Sequence, residues 1–244
     1  MNPKPLFVAV VGAALILLIP ELARSEGGRT YKVTITNLTA GQPLTPPVLL
    51  THTRRTGIFD VGEEASEDIQ AIAENGDSGP LQSTLANDVY VHQVVAGMTP
   101  VVPANDPGGT GFGSSVTFKI TAHGRARYLS FASMLICTND GFTGLDSVRL
   151  PKHKKTVYSV AYDARTETNT EDFVDIVPPC QGLIGVSSDD AGTGTTNPAL
   201  AEDGIIIPHV GIIGGIDLFP EVHGWSDPVA MIEIERVRHY GDYD

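Results

Sequence analysis

The chain has 244 residues, 29 of them acidic and 16 basic, giving a formal net charge of −13. That length suits one large domain or two small ones, and 41% apolar residues can bury a substantial core. The 18% charged share excludes wholesale disorder, and the negative balance argues against nucleic-acid binding, which needs clustered Lys and Arg.

Residues 1–25 read as a secretory signal. Lys4 supplies the positive start, Leu6 to Pro20 is apolar throughout, and Ala23-Arg24-Ser25 places small residues for a cut before Glu26. The alternative is an uncleaved N-terminal anchor, for which the run is short. No later stretch is apolar enough to span a membrane. The remainder, 26–244, shows no composition break and no internal repeat, so it is expected to be one exported domain, periplasmic or secreted. In an oxidising compartment Cys137 and Cys180 form one disulfide; two buried free thiols are the alternative.

Arg29 to Asn37 alternates, with Tyr31, Val33 and Ile35 on one side and Lys32, Thr34 and Thr36 on the other, the pattern of a half-buried strand. Pro43, Pro46 and Pro47 precede Val48 to His52 and suggest an edge strand or an extended approach. Between Glu63 and Asn75 the period becomes helical: Ser66 is a candidate N-cap, Glu67 and Asp68 fall in the first turn, Ile69, Ile72 and Ala73 share a face, and Gly76 can end the helix. Pro80 to Asn87 suits a second short helix.

Pro103 to Ser115 is a loop. Period two then returns in Val116 to Thr121 and in Tyr128 to Leu135, where both faces look buried. It recurs in Val157 to Tyr162 and in Met231 to His239. Ser187 to Asn197 is a polar surface loop. Strands separated by turn-rich loops, with one helical insertion, predict an all-β antiparallel sandwich.

Two acidic segments follow apolar strands: Thr138-Asn139-Asp140-Gly141, and Asp163 through Glu167 to Asn169, Glu171 and Asp172. If the strands are neighbours, both loops emerge at one end, and oxygens from both can serve a hard divalent cation. There is no EF-hand spacing, and a solvated acidic surface is the simpler reading of spacing alone. Among the histidines, His52, His92, His209 and His223 lie near apolar segments. Without a His-Glu-x-x-His or Gly-x-Ser-x-Gly motif, each reads as a satisfied core or loop residue, and no catalytic residue is assigned. Gly211, Gly214 and Gly215 lack dinucleotide spacing. Asn37-Leu38-Thr39 is a glycosylation sequon in form, and Trp225 reads as a core-packing residue more than a surface anchor.

In this order and spacing the chain resembles the spondin domain, the module of F-spondin and mindin, and in particular small exported bacterial proteins built of little else. The matching pieces run from Tyr31 to about Val237. They include Thr34-Ile35-Thr36-Asn37-Leu38-Thr39, Pro46-Pro47-Val48 through His52, and Val61-Gly62-Glu63-Glu64-Ala65-Ser66. They continue with Ser133-Met134-Leu135 into Thr138-Asn139-Asp140-Gly141-Phe142, Ala161-Tyr162-Asp163-Ala164 into Thr166-Glu167, Pro208-His209, and Asp227-Pro228-Val229-Ala230.

The resemblance implies a sandwich like the calcium-dependent membrane-targeting domains, with one divalent ion, Ca²⁺ in the first instance, held by Asp140, Asp163 and Glu167. Arg165 stands where Gly is usual, and Glu167 where the animal proteins have Asp. It further implies a non-enzymatic module for adhesion or extracellular recognition of a protein or glycan ligand. The other readings are a metal-assisted hydrolase using the same carboxylates, and an inert structural envelope protein.

Overall fold

The computed structural model describes residues 28–238. The expected signal segment lies outside the described residues. Among the described residues ten strands form two antiparallel sheets. The smaller sheet takes β1 (Arg29–Asn37), β4 (Ser115–Ala122), β7 (Lys154–Ser159) and β10 (Ala230–Val237), in the order β4-β1-β10-β7. The larger takes β2 (Val48–His52), β3 (Val91–Ala96), β5 (Tyr128–Met134), β6 (Gly141–Arg149), β8 (Ala161–Asp163) and β9 (Ile207–Pro208), in the order β3-β2-β5-β6-β8-β9. The all-β sandwich expected from the sequence is therefore the architecture found.

Strand alternation explains the inter-sheet core. Tyr31, Val33 and Ile35 from β1, Phe118 and Ile120 from β4, and Ile232 and Ile234 from β10 meet Leu49, Leu129 and Phe131 of the larger sheet. The larger sheet is buried on its other face too. There Val48, Leu50, Ala132, Met134 and Phe142 pack under α1 (Glu67–Asn75), α2 (Gly79–Ala86) and α3 (Pro179–Ile184). This second layer is why β2 is buried along its whole length and β5 on both faces. The prolines before β2 mark an extended approach, because β2 itself lies between β3 and β5, inside the sheet.

Helix α1 has the expected ends. Ser66 Oγ accepts the Ile69 N–H, and Gly76 takes the left-handed conformation at the other end, with φ +66°. The alternating run Val157 to Tyr162 is not one strand: the chain leaves the smaller sheet after Ser159 and joins the larger at Ala161. The Ser159 hydroxyl fixes this crossing by binding Gly144 of β6. Asp227, which precedes β10 (and α4, Pro220–His223, a short turn before it), accepts the Ala161 N–H at 3.0 Å.

Asn37 is buried and donates to the carbonyls of Gln42 and Val101. The sequon asparagine is thus a structural bracket. Trp225 packs at the contact of both cores, as expected.

Cys137 and Cys180 form the disulfide, joining the end of the β5 strand region to α3 across 43 residues. Both are buried. Closing a loop of that length restricts the unfolded chain by about 4 kcal/mol on the chain-entropy model. A Cys137→Ser, Cys180→Ser variant should lose stability of that order in urea titration, with Asp140 three residues away becoming accessible to hydrogen exchange earlier than the β1–β10 pair.

Candidate metal centre at the carboxylate end

Strand pairing β6–β8 sets Gly141 opposite Asp163, so the two acidic loops do emerge side by side. The β5–β6 turn is held by Thr138, whose hydroxyl donates to the Leu135 carbonyl at 2.7 Å and accepts the Gly141 N–H at 2.9 Å. Asn139 and Asp140 then reach into the second loop. Asn139 Nδ2 donates to Thr170 Oγ1, and its Oδ1 accepts the Glu171 N–H.

Asp140 is fully buried. Its Oδ2 accepts the backbone N–H groups of Thr166 at 2.7 Å and Glu167 at 3.0 Å, while Oδ1 is buried with no hydrogen-bond partner among the described residues. Asp163 Oδ1 accepts the Arg165 N–H at 2.8 Å, and Oδ2 accepts Asn169 Nδ2 at 2.9 Å. Glu167 Oε1 accepts the Asn197 N–H at 2.8 Å. Burial, then the charge of Asp163, pushes Asp140 up to about 7, against the pull of the two N–H groups. Burial also pushes Glu167 up to about 7, with the Glu74, Asp140 and Asp175 carboxylates adding to it. A cation is the partner that relieves such a cluster, and the orphaned Asp140 Oδ1 fits one. Arg165 is turned to an ion pair with Glu202 at 2.8 Å.

The charge of Asp140 is felt by Glu167 and that of Asp163 by Asp140, but the trio that meets metal-ligand spacing is a different one. Among the described residues, oxygens of Asp172, Asp190 and Asp217 all lie within 4.8 Å of one another and could hold a metal ion. Asp172 Oδ1 accepts the Val174 N–H and Asp217 Oδ2 the Phe173 N–H, so both flank the 3₁₀ turn Phe173–Asp175. Asp172 was within reach of the sequence argument as part of the second acidic segment. Asp190 and Asp217 sit in separate loops with no local signal.

The loop after β9 completes this end. Glu171 is buried, and its carboxylate accepts the N–H groups of Ile213, Gly214 and Gly215. These glycines do form an anion cradle, and the protein's own carboxylate fills it. His209 packs edge-to-face on Trp225 at 5.0 Å, and its Nδ1 accepts the Gly211 N–H at 3.0 Å. The neutral ring therefore carries its proton on Nε2, which is buried near Asp163, Glu171 and Asp227 and has no hydrogen-bond partner among the described residues. Burial lowers its pKa while those carboxylates oppose the shift. The expectation of satisfied histidines holds at His52, bonded to Ser130 and Thr53, but not at Nε2 of His209 or His223.

No protein-family model matches the chain, and no curated protein matches it.

A carboxyl whose folded pKa is raised binds more protons folded than unfolded. Its stabilising contribution is present at low pH and is lost as pH rises toward the folded value. In chelator, the melting temperature should therefore fall between about pH 4.5 and 7.5, driven by Asp140 and Glu167. Asp140→Asn supplies the neutral shape at every pH and should flatten that decline in a calorimetric pH series.

Proposed function

We propose that the chain is a non-enzymatic spondin-type module that binds one divalent cation, Ca²⁺ in the first instance, at the carboxylate end and uses the surrounding loops for adhesion or recognition outside the cytoplasm. The observation that carries this reading is Asp140 Oδ1: a carboxylate oxygen, fully buried, with no donor among the described residues, beside Asp163. Asp140, Asp163 and Glu167 would hold the ion, which neutralises charge that burial otherwise penalises. The disulfide fits an oxidising compartment. No helix among the described residues is long and apolar enough to cross a membrane.

The recognition surface would be the loop after β9. Val210, Ile213 and Ile216 are exposed there, while Glu171 pins the backbone between them. Rigid apolar groups beside a cation suit a protein or glycan partner that shares the ion's coordination. The ion's part is to order the two acidic loops and supply a fixed positive charge.

With calcium at a hundredfold excess over its Kd, binding to the folded state alone adds about 2.7 kcal/mol. For a chain of this length that raises the melting temperature by roughly 5–10 °C over the chelator-treated protein. Asp140→Asn with Asp163→Asn should abolish the difference, and Asp172→Asn with Asp217→Asn should keep it. The reverse result would move the ion to the second trio, and no shift in the wild-type protein would remove the cation role.

A further inference from the structure

Much of the positive charge of the described residues is gathered at the opposite end of the sandwich. Antiparallel register fixes the placement. Thr30 pairs with Val237, Arg29 with Ala122, and Tyr128 with Arg149, so the start of β1, the approach to β5, the end of β6 and the end of β10 share one pole. Backbone bonds knit that pole together: Leu150 N–H donates to the Arg127 carbonyl at 2.9 Å, and Arg236 N–H to the His153 carbonyl at 2.7 Å.

Between these segments lies a cleft of about 510 Å³. Arg29, Arg127, Arg149, Lys152 and Arg236 line it together with His153, and among the described residues no Asp or Glu lines it. Five of the chain's 16 basic residues thus face one concavity in a protein where acidic residues outnumber basic ones nearly two to one. Arg29 is held in place there, its Nη2 donating to the Gly124 and Ala126 carbonyls at 3.3 Å each. In the adjoining groove Arg238 donates to His153 Nδ1 at 2.7 Å, which leaves the neutral imidazole presenting an Nε2–H.

A solvated cationic face would spread its charges. Gathering Arg29, Arg127, Arg149 and Lys152 in a concave site costs mutual repulsion and focuses a positive potential, which an oxyanion relieves. Guanidinium forks match the paired oxygens of phosphate and sulfate. The volume falls in the range of small-ligand sites and exceeds what one inorganic ion needs. Half-buried Pro151 supplies an apolar edge on which the C–H face of a sugar ring can rest, and buried Tyr31 and Leu150 close the floor behind it.

We propose that this cleft is a binding site for a saccharide bearing phosphate or sulfate esters, separate from the carboxylate end.

The test is calorimetric titration of the whole protein with a heparin-derived tetrasaccharide at 50 and 150 mM NaCl. Dextran, pentaglutamate, a DNA tetranucleotide and inorganic sulfate serve as comparison probes. The tetrasaccharide should bind, several-fold more weakly at the higher salt, and at least tenfold more tightly than any comparison probe. Arg127→Gln, Arg149→Gln and Lys152→Gln, all at exposed positions, should together weaken binding tenfold or more at unchanged melting temperature. Arg54→Gln with Arg55→Gln, exposed at the same pole outside the cleft, should change it less than twofold. The proposal is overturned by absence of tetrasaccharide binding at 50 mM NaCl. Equal affinity for pentaglutamate, the tetranucleotide or sulfate also overturns it, as does an equal loss in the Arg54, Arg55 variant. If the triple variant lowers the melting temperature, Lys152→Gln alone must still weaken binding at least twofold, and failure to do so counts against the cleft.

Discussion

Taking a carboxylate out of water is the costly act around which one end of this molecule is arranged. Asp140 is placed in the tight β5–β6 turn, and two backbone N–H groups of the next acidic loop close on one of its oxygens. That junction brings loops 138–141 and 163–172 together, and Asn139 repeats it one residue away. The other Asp140 oxygen is the unbalanced part of the arrangement. Glu171 shows the balanced alternative nearby, with a buried carboxylate met by three backbone donors. Two buried acids in one loop cluster thus receive opposite treatment, and the incompletely matched one marks the place where an outside charge fits.

The second layer over the larger sheet gives this end its rigidity. A two-sheet sandwich alone would leave the outer face of β5 and β6 to solvent. Here α1, α2 and α3 cover it, and Cys180 on α3 ties back to Cys137 at the root of the Asp140 turn. Packing and covalent closure act on the same few residues.

Much of this was legible in the sequence where the signal is local. β1 follows its alternation, and α1 follows its cap residues and apolar spacing. The adjacency of Asp140 and Asp163 followed from two acidic segments trailing two apolar strands. What escaped depends on distant parts of the chain. Val157 to Tyr162 alternates without interruption, yet the sheet switch is set by Ser159 meeting Gly144. β3 was not expected: Val91 to Ala96 mixes polar and apolar residues without a clean period and is ordered by pairing with β2. The second carboxylate trio joins three loops, and no local pattern could assemble it. Net charge is likewise blind to placement. A value of −13 describes the sum, while register sorts the basic residues of β1, β6 and β10 to one pole.

The pairing of Thr30 with Val237 has a geometric corollary. The described chain enters and leaves through adjacent strands at the arginine-rich pole, and β1, nine residues long, runs from there toward the carboxylate loops about 30 Å away. Any tether or carrier attached through either side of the fold would grip it by the same handle. The acidic loops would then stand outward at the far tip, and the cationic cleft would sit against the supporting surface.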